Sequence, residues 1–322
     1  MINFAEKISS FSSPLAVGMS GNFRQMKRRI LNIAVFRKET LYQKMRALII
    51  YLVISAVFIG CTPILSIDAS TQSVYHFSDT DKNISLLDIS ETFGTYDGSF
   101  VLYDNNLDSW KIYDLEEATK RIPPESTYKI YDALLGLESG IITPEHSSMT
   151  WNGDAFPFPS WEADQDLNSA MQNSVNWYFQ AIDSQLGINR VQGFLNKIEY
   201  GNQTTSSNLD LYWSDFSLKI SPLEQVTLLK KFNTNEFHLN SQNVFSVKNA
   251  IKIASTPNGN FYGKTGTGRV NGQDINGWFI GYVETSDNSY YFATNIQSDS
   301  NATGKKAFEI TSDILKKLHI WN

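Results

Sequence analysis

Apolar positions along this chain change period several times, and the changes predict its elements. Residues 98–114, GSFVLYDNNLDSWKIYD, alternate Phe100 and Leu102 with Val101 and Tyr103. Asn105-Asn106 supplies a turn between the two runs, so the stretch reads as a β-hairpin. Two prolines and an acid then open an apolar, helix-like run at 123–140, PPESTYKIYDALLGLESG, which Gly136 or Gly140 ends. Residues 141–170 are loop-rich, with Pro144, Pro157 and Pro159, and Trp151, Phe156, Phe158 and Trp161 in a pattern that pins a loop to a core. Helical periods return at 165–185, 189–198, 223–232 and 243–254. The period then falls to that of strands at 260–268, 276–287 and 289–296, and 307–318 closes as an amphipathic helix. The order predicts an α+β domain, in which an antiparallel sheet carries terminal helices on one side and a helical lobe completes the fold.

Ahead of this domain the pattern changes in kind. Residues 47–67 carry no charge over twenty-one positions, bounded by Arg46 and Asp68. At a rise of ~1.5 Å per residue that length spans a hydrocarbon core of about 30 Å, so one transmembrane helix is expected. Residues 27–46 are basic, and 1–67 together carry nine Lys/Arg against two acids, while the remainder carries eighteen against thirty-one. Basic flanks stay inside. The expected organisation is a cytoplasmic basic juxtamembrane segment at 1–46, the span at 47–67, a linker with one short helix at 68–92 and an extracellular domain at 93–322. The chain would thus be a single-pass protein of the cell membrane. Two other readings share the apolar run: a signal peptide if Met45 is the true start, and a lipoprotein-type box at 58–61, FIGC.

Composition narrows the function classes. The chain has 322 residues, 42% of them apolar and 19% charged, which is ordinary for a folded domain. A net charge of −6 argues against a nucleic-acid partner. Cys61 stands alone, and His76, His146, His238 and His319 are scattered, so neither a disulfide framework, a metal site nor a bound cofactor is expected.

The candidate chemistry begins at Ser126 and Lys129, three residues apart at the start of the 123–140 run. On a helix they share a face, which places an amine one turn from a hydroxyl among free backbone N–H groups. That is a recipe for an activated serine nucleophile, although a serine before a helical run is by itself more often a cap. Three further motifs follow in order: Ser174-Val175-Asn176, Tyr200-Gly201-Asn202 with Trp213 thirteen residues after Tyr200, and Lys264-Thr265-Gly266. The ordered set resembles the penicillin-recognising serine enzymes, and the YGN–Trp213 spacing resembles class D beta-lactamases in particular. MTWNG, QDLNSAMQNSVNWYFQ, LKIS, YGKTGTG and NGWFIGYV are closer still to the sensor domain of transmembrane beta-lactam sensor-transducers. KRRILNIAVFRKET and the apolar run after it are similar to the last cytoplasmic stretch and membrane helix of those receptors. They also carry a zinc protease domain further upstream, so the chain resembles their C-terminal half.

The resemblance implies roles residue by residue. Ser126 is the nucleophile and Lys129 the base, which must lose its proton through burial and, in class D enzymes, adds CO₂ as a carbamate. Trp213 would hold that carbamate through its indole N–H. Ser174 would relay a proton to the lactam nitrogen, and Lys264 would attract the ligand carboxylate with Thr265 and Thr267. Backbone N–H groups of Ser126 and Thr267 would form an oxyanion hole, with Gly266 allowing close approach. Tyr128, Trp151 and Trp161 are candidate wall residues. Asn176 departs from the valine usual in class D hydrolases, and an amide there favours loss of CO₂. The terminal carboxylate-binding arginine of that pattern has no clear match, with Lys305 or Lys306 nearest.

These readings predict covalent beta-lactam binding that senses antibiotic and induces resistance, with slow or no turnover. The partner would be a separate or upstream-encoded protease acting on a transcriptional repressor. A membrane-anchored class D beta-lactamase is the alternative, and a cell-wall transpeptidase the third reading.

Overall fold

The computed structural model describes Met45, residues 73–78, Thr80 and residues 82–322. The chain divides into two units, 1–66 and 67–322, and all the elements that follow belong to the second. Among the described residues no helix is long and apolar enough to cross a membrane. That finding corrects the expected fold and the expected single-pass placement, both of which relied on a transmembrane helix. The 47–67 run itself lies outside the described residues.

Seven strands form one sheet in the order β1-β3-β2-β7-β6-β5-β4. They are β1 (Asn83–Leu86), β2 (Asp97–Asp104), β3 (Ser109–Tyr113), β4 (Lys252–Thr256), β5 (Gly259–Val270), β6 (Gln273–Thr285) and β7 (Ser289–Gln297). The sheet is mixed, not wholly antiparallel, because β1 runs parallel to β3. The 98–114 hairpin is β2–β3, and the three late strands are β5, β6 and β7, in antiparallel register. β1 comes from the stretch read as a linker, together with a short helix α1 (Ser90–Phe93). β4 emerges from the end of the expected 243–254 helix, which stops at Ala250.

The strand alternation decides which face meets which layer. Phe100, Leu102, Phe261, Phe279, Phe292 and Ile296 form a core with Ala307, Ile310 and Ile314 of the last helix. On the opposite face Val101, Tyr103, Tyr262, Ile280, Tyr282 and Tyr291 join the larger core of the helical lobe. That lobe comprises α2 (Leu115–Thr119), a 3-10 turn (Glu125–Tyr128) running into α3 (Lys129–Glu138), α4 (Leu167–Gln172) and α5 (Asn176–Leu186). Helices α6 (Ile188–Ile198), α7 (Pro222–Asn233) and α8 (Ser241–Ala250) complete it, and α9 (Gly304–Lys317) covers the other face.

Local chemistry explains several boundaries. α7 starts with a capping box between Ser221 and Glu224 and has Pro222 in its first turn. α4 starts with another, between Asp166 and Ser169. Thr303 caps α9 by accepting from the Lys306 N–H.

Candidate active site

Ser126 is held by the way the chain enters the 3-10 turn. The Pro123 carbonyl accepts from Trp278 Nε1 at 2.8 Å and from Asn276 Nδ2 at 3.1 Å, which fastens the entry to β6. The Glu125 N–H donates to the Trp213 carbonyl at 3.1 Å. Thr127 Oγ1 donates to the Pro124 carbonyl at 2.6 Å and accepts from Gln225 Nε2 of α7 at 2.9 Å. Side chains three apart in a 3-10 turn nearly eclipse. Lys129, the first residue of α3, thereby brings Nζ to 2.8 Å from Ser126 Oγ.

Lys129 is buried, and its second acceptor is Asn176 Oδ1 at 2.7 Å. The rings of Phe179 and Trp213 each lie 5.6 Å from Nζ. Burial pulls the Lys129 ammonium down to about 8, against the opposing pull of Asp132 and then Glu125. Trp213 belongs to an aromatic block with Tyr128, Tyr200 and Tyr212, stacking on Tyr128 at a centroid distance of 6.2 Å. The Tyr200-Gly201-Asn202 motif supports the loop that delivers it: Asn202 Oδ1 accepts from the Lys219 N–H at 2.9 Å, and Asn202 Nδ2 donates to the Ser217 carbonyl at 2.7 Å.

The helix expected over 165–185 is two helices, and the break holds Ser174. Its backbone is left-handed, with φ of 52°, so the residue lies on a turn between α4 and α5. Trp161 Nε1 donates to the Asn173 carbonyl at 3.0 Å, and Trp177 Nε1 donates to the Trp161 carbonyl at 2.9 Å, which secures the turn. Lys264 Nζ of β5 donates to Ser174 Oγ and to the Thr265 carbonyl, the latter at 3.0 Å. Burial, and then the charge of Lys129, push Lys264 well below the ordinary lysine range, which disfavours the cation expected from the sequence.

β5 closes the arrangement. β4 pairs with it only as far as Tyr262, so residues beyond Lys264 have β6 on one edge and the serine turn near the other. A Cβ on Gly266 would lie 3.0 Å from Glu125 Cβ, 3.1 Å from the Pro124 carbonyl and 3.3 Å from the Ser126 nitrogen. Only glycine lets the strand pass this close to the nucleophile's backbone. Thr267 is exposed, and its Oγ1 accepts from the Gly304 N–H at 2.8 Å, which leaves its own proton free to donate. A cleft of about 360 Å³ opens beside Lys264 and Thr265, with Met171, Gln172, Ile253 and Phe308 among its lining residues.

The structure thus gathers Ser126, Lys129, Asn176 and Trp213 into one cluster and Ser174, Lys264 and Thr265 into another, with Gly266 lying against Ser126. Tyr128 is core and not wall, and Trp161 pins the loop. Trp151 Nε1 is spent on the Asp154 carbonyl at 2.8 Å within its own loop. Lys306 faces Glu309 at 3.3 Å on α9, and Lys305 is exposed.

Three residues near the cluster escaped the motif reading. Glu125 is buried beside Ser126, accepts from Asn276 Nδ2 at 3.3 Å, and is pushed up to about 8 by burial. Asp132 and Asp183 are wholly buried on α3 and α5. Their signal was a carboxylate inside an apolar helical run, a rule-breaking position rather than a motif.

A carbamate on Lys129 can be tested against these residues. Burial suits it, because CO₂ adds only to the neutral amine. The acceptor does not suit it: Asn176 Oδ1 faces Nζ at 2.7 Å, where the carbamate would set further acceptor oxygens against it. As placed, Asn176 holds the free amine, and a carbamate would require its amide to turn so that Nδ2 donates.

With this geometry in view, the relatives are informative. Residues 95–316 match the penicillin binding protein transpeptidase domain. The chain is 43% identical to the regulatory protein BlaR1 of Bacillus licheniformis over 96% of its own length and 52% of that protein. It is 37% identical to the probable beta-lactamase YbxI of Bacillus subtilis, over 73% of this chain and 86% of that one. Among solved structures, the C-terminal domain of the Bacillus licheniformis BlaR penicillin-receptor superposes with a TM-score of 0.73 at 45% identity, covering 75% of this chain and 99% of that domain. The chain spans about half the length of the regulatory relatives it matches. It belongs to the penicillin-binding protein transpeptidase domain family, in the group that holds BlaR1- and MecR1-type beta-lactam sensor domains and class D beta-lactamases.

Proposed function

We propose that Ser126 is acylated by beta-lactam antibiotics and that the adduct persists long enough to act as a signal. The observation that carries this reading is the pair of hydrogen bonds made by Lys129, to Ser126 Oγ at 2.8 Å and to Asn176 Oδ1 at 2.7 Å. With its proton affinity lowered to about 8, about a tenth of the amine is neutral at pH 7. The neutral amine takes the Ser126 proton as Oγ bonds to the lactam carbonyl carbon. Backbone N–H groups of Ser126 and Thr267 receive the oxyanion. As the lactam C–N bond breaks, the nitrogen takes the Ser174 hydroxyl proton, and Ser174 recovers a proton from solvent while it stays hydrogen-bonded to the neutral Lys264 amine. Thr265 and Thr267 offer hydroxyls to the ligand carboxylate.

Release requires a base for the deacylating water. After acylation Lys129 holds the Ser126 proton and faces Asn176, so it is a poor base for that second step. The expected outcome is acylation without rapid turnover, which suits a sensor. Its response would pass to a protease that cuts a transcriptional repressor, supplied by a separate polypeptide or by sequence upstream of this chain. A class D hydrolase is the second reading, and the Trp213 ring beside the lysine favours it.

The test is rapid mixing of the full chain with a labelled penicillin, with and without bicarbonate, and the same for Asn176→Val. A Ser126 adduct lasting many minutes in either buffer is expected. The valine variant should release it about tenfold faster or more once bicarbonate is present, the lower end of what a general base contributes. Release from the native chain within seconds, faster with bicarbonate, would establish the hydrolase instead.

A further inference from the structure

Behind Lys129 the helical lobe buries a second polar cluster that the acylation chemistry does not use. Helices α3 and α5 pack side by side, and Gly136 sets their separation: a Cβ there would lie 2.9 Å from Ile182 Cγ2 and 3.2 Å from its Cδ1. One end of this helix pair carries Lys129 against Asn176. Asp132 lies one turn further along α3, and Asp183 lies two turns along α5 from Asn176, on the same face. Both aspartates have zero exposure. None of their four carboxyl oxygens makes a hydrogen bond of ordinary geometry with a protein donor, and neither do the hydroxyls of Tyr128 and Tyr212 beside them. Two carboxylates facing each other in an apolar interior cannot both ionise.

We propose that Asp132 and Asp183 share a proton as an acid pair, and that the pair is a positioning element which decides how readily Lys129 becomes a base. The inference rests on the reading of Lys129 as the acylation base. The two acids do not play equal parts. Burial, then the charge of Asp183, raise the proton affinity of Asp132, so the pair shares one proton and carries a single negative charge. Burial also raises Asp183, and the nearby Tyr212 hydroxyl and Asp132 carboxyl act the other way. Asp132 is the member that acts on Lys129. Other charges meet the same groups: Glu125 from the 3-10 turn and Lys264 from β5 at the lysine, and Asp210 from the loop after α6 at Asp183. Tyr128, Tyr178 and Tyr212 face the acids from the surrounding elements, and burial holds all three phenols in the neutral form.

This division of labour gives the two amide variants opposite signs. Asp132→Asn confines the pair's negative charge to Asp183, which does not act on the ammonium, so Lys129 should lose its proton at lower pH. Asp183→Asn removes the partner that shares the negative charge and offers Asp132 an amide donor. Asp132 then ionises and should hold the Lys129 proton to higher pH.

The experiment is a carbon NMR titration of the full chain with lysine labelled at Cε, the Lys129 signal being identified by its loss in Lys129→Ala. Shifts of about one pH unit, downward for Asp132→Asn and upward for Asp183→Asn, are expected. The acid limb of penicillin acylation should move in the same two directions. Coincident titrations in all three chains, or shifts of the same sign, would overturn the proposal, even if both variants only melt earlier. If the chain is not acylated at all, the acylation reading fails, while the NMR titration still judges the acid pair.

Discussion

Lys129 belongs to the helical lobe and Lys264 to strand β5, and their surroundings make them different chemical groups. Both are buried, and each bonds to a serine hydroxyl. Lys129 sits in the helical lobe, where Asp132 and Glu125 pull its proton affinity back up after burial has lowered it. Lys264 sits on a strand, where the charge of Lys129 adds to burial and pushes it lower still. When one amine of the pair is protonated, it is therefore Lys129. A serine beside a lysine is a common constellation, and the charges around it decide which of the two lysines has the higher proton affinity.

The largest effect should come from removing the two amines separately. Lys129→Ala is expected to slow acylation by about 10²–10⁴, the range for a lost general base, as measured by stopped-flow labelling. Lys264→Ala should cost roughly tenfold to a hundredfold, because it acts through Ser174. Equal losses would erase the contrast between the two lysines. A smaller effect is expected where β5 passes the serine turn. Gly266→Ala pushes a methyl against Glu125, Pro124 and the Ser126 nitrogen, at a cost of about 1–3 kcal/mol in a denaturant titration. Acylation should also slow, since the strand must retreat from the serine.

The smallest effect is on stability against pH, and it separates the groups by sign. Glu125 is raised by burial from 4.5 to about 8, so the folded state holds a proton that the unfolded state releases. Its contribution is complete below pH 4.5 and is lost as pH rises through about 8. Lys129 is lowered from 10.5 to about 8, so its contribution is present above 10.5 and is lost as pH falls through about 8. Glu125→Gln should remove the decline below pH 8 and keep the rise above it, in thermal melts across that span. A decline that survives the substitution would place the titrating group elsewhere.

How much of this was legible in the sequence depended on whether a signal was local. The β2–β3 hairpin was readable because one face of each strand meets α9 and the other meets the lobe, and the alternation records both. β1 was hidden because it is a short edge strand with exposed residues in a polar stretch. β4 was hidden because its residues continue the apolar pattern of α8, and nothing local shows the chain leaving the helix after Ala250. The break at Ser174 was equally silent: Leu167, Ala170, Met171, Tyr178 and Ile182 all face the core on either side of it.

By itself the sequence determined five of the seven sheet-forming segments, most of the helices, and the ordered set of Ser126, Lys129, Ser174, Asn176, Trp213 and Lys264. Periodicity and motif spacing are properties of neighbours along a chain. Tertiary structure alone decided that Asn176 Oδ1 would face Lys129, that Ser174 would lie on a left-handed turn against Lys264, and that Asp132 and Asp183 would meet in the interior. Each of these depends on the separation of two elements, set by packing such as Gly136 against Ile182. A proton affinity depends on everything within a few ångströms in space, and so it appears only once the chain has folded.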